Sequence, residues 1–506
     1  MLGPINQPST KQIMDVDGTL APGAVDDSSA IVDGIVTNAK LATDAKVGSL
    51  AALKTSDRAS TVAAINELKR AMQGGGNLYA ILQPPAGFAA AGWLPLTIYQ
   101  DASGRASLGP VSLLDFAPNG AGAWYVDISR PDNGGDGLTW GTAKRGLNYA
   151  VQAANASANG GTIWLANGVY PYIDGFLSLA VTKNIAIRAV NPGKVVLSNH
   201  RVYSWALDGV YTNTYVATHG LGGPNHYMVC DALYPDALGD YQALIKKTSA
   251  SDVNGTPGSW FDDGTRLYVR LSDGRAPDAN LRPYWSASGS TPVRLVNGSP
   301  LVLFDGLQIE GGTSCATIQA ESASVTPTAY FYNCAFKYAA DNALNSIGAD
   351  TFCQNCLAAC SKSDGFHYAE RATAIRQARG FEIDCVGRDN GDATTDISNG
   401  STSHNSSVVI RLNGNYYRTF GRPMHDVGGT KAWNIGCWVH DSASATNDIS
   451  IGCGTGASDG TEMWLDNCRT SGSGASLDTV AGVTVHTRAC TFREGAPTGA
   501  GTVAEY

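Results

Sequence analysis

The chain has 506 residues, more than one compact domain usually holds, so we expect two or more modules. Charged residues make up only 16% of the sequence, against roughly 25% in ordinary soluble domains, while glycine occurs 59 times. The net charge of -9 and the absence of a basic run argue against a nucleic-acid partner. Few charges and many glycines favour stacked strands joined by tight turns. The net charge and the pI near 5.4 are compatible with a neutral or weakly charged glycan.

The first 120 residues differ in composition from the rest. The start, MLGPINQPSTKQ, lacks the basic and apolar pattern of a secretory signal. The uncharged stretch from Tyr79 to Tyr99 contains three prolines, which predicts a linker and no membrane insertion. Between them, VGSLAALKTSDRASTVAAINELKRAM resembles segments of phage tail-fibre and baseplate proteins. Apolar spacing at Thr61, Ile65 and Leu68 favours an oligomeric attachment region over 1–120, although a lone amphipathic helix is the alternative.

Residues 121–202 have the features of a capped solenoid start. Trp124 to Asp127 is a predicted strand, and an amphipathic helix is predicted near Thr142 to Ala158. A second strand, TIWLANGVY, follows from Thr162 to Tyr170. A helix in this position covers the open end of a solenoid. This order resembles the opening of pectate-lyase-like β-helix proteins.

Residues 203–299 interrupt the pattern. They include PGSWFDDGTRLYVRLSDG, two short β-runs with turn signals, which predict a β-rich insertion. Similar insertions occur in glycan-acting β-helix enzymes, so the resemblance implies a carbohydrate partner.

Residues 300–506 contain a repeat of 22 to 31 residues. Short β-like segments recur with an anchor, usually cysteine, at Leu307, Cys334, Cys356, Cys385, Gly414, Cys437, Cys468 and Cys490. Repeats of this length predict the coil turns of a right-handed parallel β-helix, with six thiols stacked in one interior column. We therefore expect reduced structural cysteines, neither disulfides nor a metal site, although Cys353, Cys356 and Cys360 superficially suggest zinc.

The residues flanking each anchor alternate with polar ones. Strict alternation predicts that they share the interior face with the anchors. The sets are Tyr332 and Phe336 around Cys334, Phe381 and Ile383 before Cys385, Ile410 and Leu412 before Gly414, and Trp433 and Ile435 before Cys437.

Acidic residues recur after the anchors. Asp341 follows Cys334, and Asp364 follows Cys356 at nearly the same interval, so the two are predicted one coil turn apart. Two neighbouring carboxylates raise each other's proton affinity, which suits the acid and base of glycoside hydrolysis. The alternative is that Asp341-Asn342 and Asp364-Gly365 only form turns.

The stretch from Ser363 to Asp426 concentrates residues that carry chemistry. Its SDGFHY, NGSTSHNSS and GRPMHDVGG segments resemble uncharacterised phage and bacterial β-helix proteins. A histidine paired with a carboxylate abstracts a proton or orients water. The candidate catalytic residues are Asp364, His367, Asp389, His404 and Asp426, and the candidate substrate-binding residues are Asp341, His425 and Tyr416. Satisfied histidines in polar turns are the alternative. No cofactor motif is present.

Together these features resemble phage tailspikes built on a pectate-lyase-like β-helix. The resemblance implies a homotrimeric virion protein, assembled in the host cytoplasm, that contacts other tail or baseplate proteins. It implies binding of a host surface polysaccharide and, in the enzymatic alternative, cleavage by hydrolysis or elimination. A non-enzymatic adhesive spike and a free bacterial polysaccharide hydrolase or lyase are the rival interpretations.

Overall fold

The computed structural model describes residues 80–88, 94–101, 104–109, 111–118, 122–172, 174–177, 181–287, 290–296, 298, 300–371, 376–392, 397–446, 448–454 and 459–506. The predicted oligomeric segment around Thr61 to Met72 lies outside these residues. The chain divides into two compact units. The smaller comprises 1–82, 96–103 and 107–111, and it contains an antiparallel pair between Ala80–Ile81 and Tyr99–Gln100. Among the described helices, none has the length and apolar character that crossing a membrane requires.

The larger unit is built on three long parallel sheets, which we call sheets A, B and C. Sheet A consists of Gly122–Val126, Gly161–Leu165, Ile185–Ala189, Leu301–Asp305, Thr328–Tyr332, Asp350–Gln354, Arg379–Ile383, Val408–Leu412, Lys431–Ile435, Glu462–Asp466, Thr484–Arg488 and Thr502–Glu505. Sheet B consists of Gly168–Tyr170, Val195–Ser198, Leu307–Glu310, Ala335–Lys337, Leu357–Ala359, Val386–Arg388, Asn415–Tyr417, Trp438–His440, Arg469–Ser471 and Thr491–Phe492. Sheet C consists of Val293–Leu295, Ala316–Gln319, Leu344–Ile347, Phe366–Ala369, Ser401–His404, Met424–Asp426, Ile449–Cys453, Ala475–Thr479 and Thr498–Gly499.

From residue 301 onward, successive strands belong to sheets A, B and C in turn, and each strand pairs in parallel with its equivalent one coil turn later. This is a right-handed parallel β-helix, so the predicted fold class is confirmed.

A helix packs against the first strands of the coil. Helix α1, Leu147–Ala156, is shorter than predicted and buries Leu147 and Val151 in the same core as Ile163 of sheet A. The predicted strand from Thr162 to Tyr170 is two strands, because the chain passes from sheet A to sheet B between them.

The anchors all occupy the corner where the chain passes from sheet A to sheet B. The residue before each has a left-handed backbone, for example Asn333 with φ 51°, Asn355 with φ 54° and Gly436 with φ 63°. Asparagine, aspartate and glycine tolerate this conformation best, and they recur there. The pairing of sheet B stacks the anchors in one column. All eleven cysteines are free, so the prediction of stacked thiols without disulfides is confirmed.

The same corner overturns the predicted alternation on sheet A. Because Asp384 has φ 52°, the backbone changes phase there, and Glu382 faces the interior with Cys385. Ile383 lies on the opposite face. The prediction was therefore wrong for the sheet A positions Tyr332, Phe381, Ile383, Ile410, Leu412, Trp433 and Ile435. It was right for the cysteines and Phe336, which lie in the core.

The outer face of sheet A instead holds a ladder of apolar rings. Tyr330 and Phe352 stack with their centroids 4.7 Å apart. The N-terminal part of the larger unit packs onto this ladder: Phe116 stacks on Tyr330 at 5.5 Å, and Phe88 contacts Trp433 at 5.8 Å. Aromatic residues on both faces of sheet A are thereby shielded from water.

The segment from Ala206 to Trp285 leaves the coil and forms two further sheets. One contains Ala206–Leu207, Tyr215–Thr218, Ile245–Lys246, Ser259–Asp262 and Arg266–Arg270, with helix α2 at Ala250–Gly255. The other contains His226–Asp231, Gln242–Ala243 and Leu281–Trp285. Val229, Trp260 and Leu281 share one apolar core between the two sheets. Val293–Leu295, which the sequence placed in the insertion, is already a strand of sheet C.

Candidate functional site

A row of polar side chains runs along the outer face of sheet C. Strand alternation places every second residue outside, and parallel pairing aligns equivalent residues of successive coil turns. The aligned positions are Asn345, His367, Thr402, His425, Gly452 and Asp478. The coil thus converts one repeat position into a linear surface, which a chain-like ligand matches in shape.

Three of the predicted residues meet on this surface. Each of Asp364, His367 and His404 has one side-chain nitrogen or oxygen atom in a group of three that lie within 4.8 Å of one another. The two imidazole rings are 4.9 Å apart. His367 Nδ1 donates to Asn345 Oδ1 at 2.9 Å, so its Nε2 is the nitrogen left to accept. His404 Nε2 lies 3.3 Å from the Thr402 hydroxyl.

Asp364 lies in the loop that precedes the strand Phe366–Ala369, and it is only 6% exposed. Its Oδ1 accepts from the backbone and side-chain nitrogens of Asn399 at 2.7 and 2.9 Å. Burial raises the pKa of Asp364 to about 7, against the lowering effect of the Asn399 hydrogen bonds. The carboxyl is therefore close to half-protonated at neutral pH.

Asp341 contributes less than the sequence predicted. Burial also raises the pKa of Asp341, and its charge adds the smallest of the effects on Asp364. The charge of Asp341 raises the pKa of Asp364 as the sequence predicted, but the loss of water around the carboxyl raises it more.

The histidines remain neutral. Burial lowers the pKa of His367 to about 3, with a further contribution from His404, and it also lowers the pKa of His404. His425, one coil turn further along, has its pKa lowered to about 3 by burial and by Arg422. Arg422 Nη1 lies 3.1 Å from His425 Nε2, and its other amino group pairs with Asp478 at 2.8 Å. His425 therefore extends the same surface.

Two of the predicted site residues lie inside the coil. Asp426 is fully buried, with its carboxylate paired to Arg411 at 2.8 Å. Tyr416 is also fully buried, and its hydroxyl donates to Glu382 at 2.8 Å. The predictions that Asp426 is catalytic and that Tyr416 binds substrate were wrong, because strand alternation turns both side chains inward.

Asp389 lies apart from the cluster in its contacts. It occupies the corner after sheet B with φ 54°. Its two oxygens each accept from Arg418 at 2.7 Å, and Arg388 binds it at 2.5 Å. Both carboxylate oxygens are thus engaged by guanidiniums outside the Asp364 cluster, and the catalytic role of Asp389 stays a prediction.

Several residues of the surface escaped sequence reasoning. Asn399 holds Asp364, while Arg422 and Asp478 extend the row beyond His425. Counting from the thiol column does not align Asn399 with Asp364, because Asp364 follows its anchor Cys356 by 8 residues and Asn399 follows Cys385 by 14. Nothing in the sequence marked Arg422.

Within the part of the chain that the structure describes, two groups of side chains have donor sets that suit a divalent metal ion. One is the Asp364, His367 and His404 cluster, for which the sequence predicted no metal. The other lies buried in the insertion, where Asp262 bridges His219 at 2.9 Å and His226 at 2.6 Å.

No family model and no curated protein matches this chain. Among solved structures, pectate lyase Pel9A aligns over 72% of this chain and 79% of its own, at 12% identity and TM-score 0.38. The family 28 exopolygalacturonase of Yersinia enterocolitica aligns over 80% and 82%, at 13% identity and TM-score 0.37. The tailspike protein gp49 of Pseudomonas phage LKA1 aligns over 72% and 71%, at 13% identity and TM-score 0.25. These values are too low to carry a conclusion about activity, and the fold assignment rests on the strand pairing.

Proposed function

We propose that the chain binds a polysaccharide along the outer face of sheet C and cleaves it with Asp364 as the proton donor. The observation that carries the proposal is a carboxyl with a pKa of about 7 beside two neutral imidazoles on a linear polar surface. A general acid works best when its pKa lies near the working pH. The surface also matches the extended shape of a glycan chain.

The chemistry follows from the protonation states. Protonated Asp364 gives its proton to the glycosidic oxygen as the bond breaks. In hydrolysis, a second carboxylate activates water or attacks the sugar, and Asp341 is the nearest candidate by sequence and fold. In elimination, a neutral histidine removes the proton next to a uronate carboxylate, and His367 and His404 offer that base. The cluster supports both reactions, and the products distinguish them.

The experiment is incubation of the purified chain with a panel of bacterial capsular polysaccharides and lipopolysaccharides. New reducing ends without unsaturated uronates indicate hydrolysis, whereas both together indicate elimination. We expect Asp364→Asn to abolish cleavage and retain glycan binding.

Asp389→Asn is the matched control, because it makes the same change in a carboxylate outside the cluster. Full activity of Asp364→Asn, or equal loss in both variants, would contradict the assignment of Asp364.

A non-enzymatic adhesive spike is the second candidate. It is favoured because, among the described residues, no hydrogen bond joins the carboxylate of Asp341 to the cluster of Asp364, His367 and His404. Binding of a glycan without release of any product, by a chain that is folded and trimeric, would support it.

For the assembly we propose a homotrimer attached to a phage tail through residues 1–120, in contact with other tail or baseplate proteins. The support is the resemblance of the segment around Val47 to Met72 to tail-fibre sequences. Light scattering coupled to size exclusion tests it. A stable monomer would overturn the trimer, and failure to co-purify with tail particles would overturn the virion location.

A further inference from the structure

A second candidate site lies where the insertion leaves the coil. A cavity of about 490 Å³ opens between residues 200–205, which follow sheet B, and residues 277–283, which return from the insertion. Its volume is in the range of ligand pockets. None of its lining residues belongs to the row on sheet C.

Two arginines line this cavity without a carboxylate partner. Among the described residues, neither Arg201 nor Arg282 forms an ion pair, and the Nε atom of each is buried without a hydrogen bond. Arg282 is only 4% exposed. Asp278 also lines the cavity, but its carboxylate already engages Arg275 at 3.6 Å. In a chain with net charge -9, two guanidiniums that line one cavity, form no ion pair with a described residue and each hold a buried Nε without a hydrogen bond call for an anionic ligand.

The guanidinium of Arg201 is held in place by two aromatic rings. The guanidinium of Arg201 lies 4.6 Å from the centroid of Tyr172 and 4.8 Å from that of Trp285. Such contacts fix the plane of the fork and reduce the entropy lost on binding. A planar carboxylate accepts two parallel hydrogen bonds from a guanidinium held in this way.

The cavity lining also includes aromatic side chains. Tyr203 and Trp205 line the cavity and lie edge to face at 5.9 Å. The Tyr203 hydroxyl is engaged by His226 at 2.9 Å, which fixes its ring. Aromatic rings and guanidiniums in one cavity match a sugar ring that carries a carboxylate.

We propose that this cavity binds a carboxylated sugar unit, such as a uronic acid, through Arg201 and Arg282, with Trp205 against the sugar ring. The site is separate in its residues from the Asp364 cluster. It goes beyond the proposed function, since it concerns recognition of an acidic glycan and does not require cleavage.

The test is isothermal titration of the full chain with galacturonic acid and, separately, with its methyl ester. We expect the acid to bind at least tenfold more tightly than the ester, because only the acid presents a carboxylate. Arg201→Gln should weaken binding of the acid at least tenfold, with an unchanged circular dichroism spectrum.

Arg266→Gln is the matched control, since Arg266 belongs to the insertion but pairs with Asp263 outside the cavity. Trp205→Leu, a second variant, should weaken binding of acid and ester alike. Equal affinity for acid and ester, unaltered binding by Arg201→Gln, or no binding by the wild-type chain would each overturn the proposal. Because the readout is binding, the result stands whether or not the chain cleaves a polysaccharide.

Discussion

The two faces of sheet C contain the same kinds of residue but in opposite states. On the inner face, Asp426 is fully buried, accepts from Ser403 and pairs with Arg411, which reaches it from sheet A. On the outer face, Asp364 and His367 are shielded from water and form no ion pair with any described residue, so their pKa values shift toward the neutral forms.

The difference shows what separates structural from chemical residues in this coil. A buried charge is tolerated inside because its partners satisfy it, as Glu382 and Asp426 do for Arg411. On the outer face, burial without a counter-charge raises the pKa of the acid and keeps the base neutral, which is the state that proton transfer requires. The predictions below test this contrast.

The largest effect should follow loss of the inner cation. Arg411→Met leaves Glu382 and Asp426 buried without their counter-charge, so we expect the free energy of unfolding to fall by about 3–5 kcal/mol. Chemical denaturation measures it. A change below 1 kcal/mol would mean that water or protonation already relieves these carboxylates.

On the outer face, the pH dependence of stability should report Asp364. Its pKa is about 7 in the folded chain and near 3.8 when unfolded, so protonated Asp364 stabilises the fold at low pH. This contribution is lost as the pH rises from about 4 to about 7, at about 1.4 kcal/mol for each unit of the pKa difference. Asp364→Asn should remove the fall, seen as a smaller pH slope in thermal denaturation. An unchanged slope would contradict the raised pKa.

Tyr416→Phe should have a smaller effect, confined to stability. It removes the hydroxyl that donates to Glu382 in the interior, which costs about 1–3 kcal/mol. Glycan binding, measured by titration, should not change, because no ligand reaches this side chain. Weakened binding in a variant of normal stability would restore Tyr416 as a binding residue.

The smallest effect is expected at Asp389. Asp389→Asn breaks a partly exposed pair with Arg418, while Arg388 retains Asp240 at 2.5 Å. We expect less than about 1 kcal/mol in unfolding free energy and full cleavage activity. A large loss of activity would place Asp389 back in the site.

The sequence predicted the coil well because its repeat is anchored by a distinctive residue. Six cysteines at one repeat position marked the corner between sheets A and B, and the spacing between them gave the length of each coil turn. It did not predict which side of sheet A faces inward, since the left-handed residue at Asp384 or Asn413 changes the phase of alternation. That conformation is compatible with many sequences, and asparagine is also common in ordinary turns.

The candidate site was predicted only in part for the same reason. His425 and Asp426 are adjacent in sequence yet lie on opposite faces of sheet C. Their closeness in the sequence therefore suggested, wrongly, that both side chains belong to one site. Burial governs the pKa of Asp364, and burial depends on Asn399 and its neighbours from another coil turn. No local pattern in the sequence reports that environment.

The insertion leaves and re-enters the coil without disturbing its periodicity. Ile185–Ala189 pairs directly with Leu301–Asp305, and Val195–Ser198 pairs with Leu307–Glu310, as if nothing intervened. The energetic penalty of such a long excursion grows only slowly with its length. The junction is therefore a natural graft point, where another module could replace residues 206–285 while the strands of the coil keep their pairing.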